Sequence, residues 1–237
     1  MNEFLRKPEE IIEEFFRSVQ KYIKNLIDKK RNLIGGLNDF FHEAWQVPKE
    51  YKGNSSQMGF IPEYLVFETV KQYVAKKKKF SFFPIARAKI SGGNVETNYF
   101  VDNPDNPMHL LCHGLRVHDT NLVKLDLCRI NYSHDITYLI KKNVWQVKAI
   151  FEIKSYFDYP GIKGDIERLI FAERNYHLAE NFALVFVGFR NKDSLSNKER
   201  ELINTFTKVK SHFCVLPGEK DQGLRNYLLE EVLNFIS

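Results

Sequence analysis

The sequence predicts a mixed α/β protein, a central sheet flanked by helices, with a helical segment in front of it. Three observations carry that expectation. Apolar residues recur at helical spacing at both ends of the chain. The middle holds short runs rich in Phe, Ile, Val and Leu, separated by Gly, Asn and Pro, which read as strands and turns. From Pro160 onward helix and strand patterns alternate, as they do where helices cover a partly parallel sheet.

Ile11, Ile12, Phe15, Phe16, Val19, Ile23 and Ile27 form one stripe between Glu9 and Lys30, with charged residues opposite, and predict an amphipathic helix. Gly35-Gly36 is expected to interrupt before a short helix over Leu37 to Trp45, and Val47 to Met58 reads as a loop. A helix is expected to open at Pro62, a favoured first-turn residue, and to run to about Lys77. Strands follow at Phe80–Ile90 and Val95–Val101 around a Gly92-Gly93 turn, then at Leu122–Ile130 and Val144–Tyr156. Pro160 to Asn181 predicts a helix. Phe182 to Phe189 is almost wholly apolar and fits a strand covered on both faces. Helix, strand and helix close the chain at Ser194–Lys208, His212–Leu216 and Leu224–Phe235. Residues 1–58 are therefore expected to form a helical appendage and residues 59–237 the core.

The 237 residues are 43% hydrophobic, enough for a full core and too much for general disorder. Lys and Arg exceed Asp and Glu by 35 − 30, a formal charge of +5, which permits a polyanionic partner without requiring one. The excess is uneven: Lys76 to Lys79 form one run, and Lys21, Lys24, Lys29, Lys30 and Arg31 another. Three cysteines (Cys112, Cys128, Cys214) are too few for a disulfide framework. The first ten residues lack the apolar stretch of a signal peptide, and no segment is apolar enough to span a bilayer. The expectation is a cytoplasmic protein with no membrane partner.

The chemistry points to two strands. In Ile150-Phe151-Glu152-Ile153-Lys154, alternation sends Glu152 and Lys154 to one face and Phe151 and Ile153 to the other. A carboxylate and an ammonium in so apolar a strand are costly to bury unless paired or metal-bound. In Leu122-Val123-Lys124-Leu125-Asp126-Leu127-Cys128, Asp126 is the lone acid. If the strands are neighbours, Asp126 and Glu152 can converge on one hard divalent cation, with the carbonyl of Ile153 as a third ligand.

Asp126 on one strand, Glu152-Ile153-Lys154 on the next, then a helix and an apolar strand, resembles the PD-(D/E)xK nuclease superfamily over roughly Pro62 to Phe189. The resemblance implies a restriction-endonuclease-like core and Mg²⁺-dependent hydrolysis of phosphodiester bonds, with Mn²⁺ able to substitute. By the same implication Asp126, Glu152 and Ile153 hold the metal, Lys154 orients the attacking water, and Glu63 supplies the further acid that members often carry on the helix before the sheet. Double-stranded DNA is the implied substrate, and a restriction-type enzyme acting as a homodimer the leading subtype. A repair, junction-resolving or RNA-cleaving nuclease, or a non-catalytic nucleic-acid-binding module on the same core, are the alternatives. Leu125 stands where the motif has proline. A literal Pro104-Asp105 exists but sits in an Asn/Pro-rich loop.

Other groups read more plainly. Asp165 is expected to favour a helix dipole from the first turn, while Arg168 or Lys163 is weighed as a partner for the scissile phosphate. His109, Cys112, His113 and His118 lack a second cysteine pair, and a strand there would splay them, which argues against zinc. Cys128 reads as a small buried residue. Tyr156, Phe157 and Tyr159 read equally as base-stacking groups or as a cap on the core.

Overall fold

The computed structural model of the chain describes residues 8–29, 32–44, 55–89, 96–103, 109–116, 124–131, 146–154, 159–175, 178–189, 195–218 and 223–237. The elements are α1 (Pro8–Asp28), α2 (Leu33–Ala44), α3 (Ser55–Lys78), β1 (Phe83–Lys89), β2 (Glu96–Val101), β3 (His109–Arg116), β4 (Lys124–Asn131), β5 (Gln146–Lys154), α4 (Tyr159–Asn175), β6 (Leu178–Gly188), α5 (Asn197–Phe206), β7 (His212–Val215) and α6 (Leu229–Ile236).

Among the described residues seven strands form one sheet in sequence order, β1 to β7. The pairs from β1 through β5 are antiparallel, whereas β5–β6 and β6–β7 are parallel. Strand β5 is the hinge between the two halves. It takes antiparallel bonds from β4 on one side and parallel bonds from β6 on the other, and α4 and α5 provide the crossovers that parallel pairs need.

Alternation along β5, β6 and β7 divides the core into two layers. Ala149, Phe151, Ile153, Ala183, Val185, Val187, Phe213 and Val215 join one cluster with residues of α1, α2, α3 and α6. The intervening residues, among them Ile150, Leu184 and Phe186, are buried beneath the other face, where α4 contacts β5 and β6 and α5 contacts β7. The mixed sheet with helices on both faces is thus present. The two N-terminal helices, expected as an appendage, bury Val19, Ile23, Leu33, Ile34 and Leu37 in the same cluster as Phe151 and Val185.

Four local expectations are corrected. Gly35 and Gly36 do not interrupt; both lie inside α2. Gly36 serves close approach: a Cβ there would fall 2.7 Å from Leu26 Cδ2 of α1, and Tyr22 donates to the Gly36 carbonyl at 2.9 Å. Pro62 does not open α3, which begins at Ser55 and carries the proline internally, so part of the expected Val47–Met58 loop is helical. The proline removes one ladder bond, but Leu65, Val66, Val70 and Val74 beyond it are fully buried and hold the helix on the sheet. Third, the helix expected to reach Asn181 ends at Asn175. Leu178-Ala179-Glu180-Asn181 instead extends β6, because Leu178 pairs with Val147 and ladder bonding outweighs local helix propensity. Finally, the closing helix begins at Leu229 rather than Leu224. The Gly92-Gly93 turn, the Pro104–Pro107 loop, Trp45 and His177 lie outside the described residues.

The ends of the chain are joined by a charge. The Leu33 N–H at the start of α2 donates to Glu230 Oε1 of α6 at 2.7 Å. A carboxylate at a helix N-terminus satisfies an orphan donor and complements the dipole. Glu230→Ala is expected to lower stability by roughly 1–2 kcal/mol, measured by urea unfolding, with little change in the slope against denaturant.

Candidate active site

Strand β5 is apolar enough to sit in the middle of the sheet, and period-two alternation then decides where its charges go. Phe151 and Ile153 face the layer of α1, α2, α3 and α6. Glu152 and Lys154 face the opposite way, toward α4. Glu152 is 2% exposed, in register with Phe186 of β6, and Lys154 is half-buried beside Gly188.

Helix α4 follows after a short connection and packs through Ile162, Ile166, Leu169 and Ala172. Asp165 is in phase with that stripe and is 1% exposed. One turn on, Arg168 reaches back over both acids. Its Nε donates to Glu152 Oε1 at 2.8 Å, and its Nη2 contacts both Glu152 Oε1 and Asp165 Oδ1. Lys154 Nζ lies 3.4 Å from Asp165 Oδ1. Two carboxylates therefore form the floor of the cluster, and two cations, each with a side chain about one-third exposed, form its mouth. Burial pushes the Asp165 carboxyl above its ordinary range, and the charges of Lys154 and Arg168 oppose that rise without cancelling it.

The remaining expected ligands are placed by the backbone. Strands β4 and β5 are hydrogen-bonded neighbours, with Leu127 opposite Phe151 and Cys128 opposite Ile150. One further step in that register sets Asp126 opposite Glu152. The side chain of Asp126 lies outside what is described. Lys154 O accepts from the Phe189 N–H at 2.9 Å, on the β6 side. Successive carbonyls of a strand point in opposite directions, so the Ile153 carbonyl is turned toward β4.

No family model, no curated protein and no solved structure matches this chain.

The donor set can be tested against a hard divalent ion on its own terms. Among the described residues no three His, Cys, Asp or Glu side chains gather as a ligand set. Two carboxylates, Glu152 and Asp165, do come together, and Asp165 Oδ2 has no hydrogen-bond partner among the described residues. Mg²⁺ is commonly held by one or two carboxylates with waters completing the shell. Oxygen donors, an orphaned buried carboxylate atom and the register position of Asp126 fit such an ion.

The remaining candidates fall elsewhere. Glu63 is half-buried on α3, the helix that packs on the Phe151 and Ile153 face rather than the Glu152 face. Lys163 is 3.7 Å from Glu167, an exposed i,i+4 pair on the outside of α4. His109, Cys112 and His113 lie on β3 and Cys128 on β4, but their side chains, with His118, Tyr156 and Phe157, are outside the description. Tyr159 is exposed at the start of α4.

The residue that sequence reasoning undervalued is Asp165. It is not a first-turn acid, since α4 begins at Tyr159 and its first turn carries none. The signal was its phase: an acid flanked by Ile162, Ile166 and Leu169 on the apolar stripe needs a partner, and Arg168 stands one turn away.

The rise in the Asp165 pKa fixes a sign. A carboxyl whose folded pKa exceeds its unfolded value retains its proton longer in the folded state. Its contribution to stability is thus most favourable in acid and falls as pH climbs from the ordinary carboxylate pKa through the raised one. The stability of the native protein minus that of Asp165→Asn is expected to decline across that window, read from denaturant unfolding at a series of pH values. A difference that grows with pH would reverse the assignment.

Proposed function

We propose that the protein is a divalent-metal-dependent nuclease that hydrolyses phosphodiester bonds, with duplex DNA as its leading substrate and a restriction-type cut as its leading mode. The observation that supports it best is the Glu152–Lys154 pair: a buried carboxylate and a half-exposed ammonium on one face of an otherwise apolar central strand, joined there by Asp165 and Arg168, with Asp126 at the facing register position. That combination costs stability in a plain structural protein, where apolar residues of similar volume serve as well or better.

In this reading Glu152 and Asp126 would hold the ion, with the Ile153 carbonyl beside them. Bound Mg²⁺ or Mn²⁺ would supply Lewis acidity toward the phosphate and make a water more acidic. Lys154 holds the attacking water in line through its ammonium hydrogens. Asp165 positions that lysine, its Oδ1 being 3.4 Å from Nζ. Arg168 is suited to the phosphate itself, since a guanidinium matches two phosphate oxygens at once. It bridges the two acids until a polyanion offers it better partners.

The bridge also favours a second reading. Arg168 contacts Glu152 and Asp165 together, and such a network could serve a nucleic-acid-binding module that does no chemistry. Plasmid cleavage separates the two. The native protein should nick DNA with Mg²⁺ and not with EDTA. Glu152→Ala and Asp126→Ala should abolish nicking, and Lys154→Ala should slow it by roughly 10²–10³-fold. Equal nicking by all proteins would sink the proposal, and DNA retention without any metal-dependent cleavage would favour the binding module.

A further inference from the structure

On the other face of the sheet, α1 and α3 enclose an open trough of about 520 Å³. Its walls carry Arg17, Lys21 and Lys24 from α1 and Glu68, Lys71 and Gln72 from α3. The α1 cations stand at i, i+4 and i+7, one exposed stripe opposite the buried Val19, Ile23 and Ile27. Glu68, the one acid among the described wall residues, is 2% exposed and already engaged. Lys71 Nζ lies 2.6 Å from its Oε2, and Gln72 donates to its Oε1 at 2.9 Å. Gln72 also donates to the Gln20 carbonyl at 3.1 Å, which fastens α3 to α1. Lys71 is held further by the face of Phe100, with its ammonium 4.8 Å from the ring centre. Asp28, the acid at the end of α1, is bonded by Lys76 at 2.8 Å and also lies within the field of Lys24. The floor is thus neutralised and pinned, and Lys21 and Lys24 keep exposed ammonium groups on the rim.

We propose that this trough is a docking surface for the phosphate backbone of duplex DNA, separate from the Glu152 cluster. The proposal goes beyond the nuclease reading and stands without it, because it requires binding and no chemistry. Seven residues of helix cover about 10 Å. Each DNA strand carries a phosphate for about every 3.4 Å of axis, so the stripe from Arg17 to Lys24 spans on the order of three phosphates. The exposed cations of the wall are suited to backbone contacts, which carry no sequence information, so binding there is expected to ignore sequence.

The test is fluorescence anisotropy of a labelled duplex of about 20 base pairs, in EDTA so that nothing is cut, from about 50 to about 200 mM salt. Lys21→Glu with Lys24→Glu should weaken binding at least tenfold and reduce the slope of log Kd against log salt by about 1.8, two phosphates at about 0.9 each. Lys208→Glu with Lys210→Glu makes the same charge change at exposed positions beyond α5 and should leave most of the affinity. If the first pair unfolds the protein by circular dichroism, Lys21→Gln with Lys24→Gln should still reduce the slope. Unchanged affinity, an equal loss in the control pair, or binding to anionic lipid vesicles without binding to DNA would each overturn the proposal. The anisotropy is read in EDTA and needs no cleavage, so a failed cleavage assay and a failed docking surface remain distinguishable.

Discussion

Two carboxylates buried side by side under α4 are the constraint around which the central sheet is organised. Glu152 and Asp165 are each nearly inaccessible to solvent, and a pair of unpartnered anions in such a place would cost several kcal/mol per ion. Arg168 and Lys154 make the arrangement tolerable, and both must come from defined positions. Lys154 reaches Asp165 only because it follows Glu152 by two residues on a strand, and Arg168 reaches both acids only because it follows Asp165 by three on a helix. The spacing of four residues in two elements thus fixes how α4 sits on β5. A sliding of the helix by one turn would carry Asp165 and Arg168 away together, parting Asp165 from Lys154 and leaving Glu152 buried without Arg168.

The apolar layers serve that arrangement from both sides. Phe151 and Ile153 anchor β5 to the cluster of α1, α2, α3 and α6, so the strand cannot rotate to release its charges into solvent. Beneath α4, Ile162, Ile166 and Leu169 surround Asp165 with hydrocarbon. The same packing that stabilises the helix therefore lowers the local polarity, strengthens the attraction between acids and cations, and raises the pKa of the Asp165 carboxyl.

Much of this was legible in the sequence, for identifiable reasons. Strong period-two and period-3.6 patterns placed β5, β6 and α4, and alternation alone assigned Glu152 and Lys154 to one face, where the structure has them. The adjacency of β4 and β5 was a condition in the sequence and is a fact of the sheet, and one step beyond the paired Leu127 and Phe151 the register sets Asp126 opposite Glu152. What sequence could not supply were features decided by tertiary contact. Gly35-Gly36 reads as a break until Leu26 is seen lying against it. Pro62 reads as a helix start until the buried residues beyond it are seen to hold a longer helix on the sheet. Asp165 reads as a dipole acid until the first residue of α4 is known, because helix phase, and not composition, turns it inward. The position of Glu63 shows the same limit: a helix before the sheet can pack on either face, and α3 takes the one away from Glu152.

The two charged regions differ in a way that follows from their settings. Around Glu152 the acids lie on the floor and the cations at the mouth, an arrangement able to admit a cation inward and a phosphate outward. In the trough, Glu68 is neutralised by Lys71 and hydrogen-bonded by Gln72, and Lys21 and Lys24 stand exposed on a single helix. Such a surface is suited to holding a polyanion, and among the described residues no group of three His, Cys, Asp or Glu is placed to hold a metal. The sheet separates the two regions by a layer on the order of 10 Å thick. A straight DNA segment seated in the trough therefore cannot present the same phosphates to Glu152. In the reading advanced here the trough tethers nucleic acid near the protein, and a different stretch of backbone, or a second duplex, reaches the acids beneath α4.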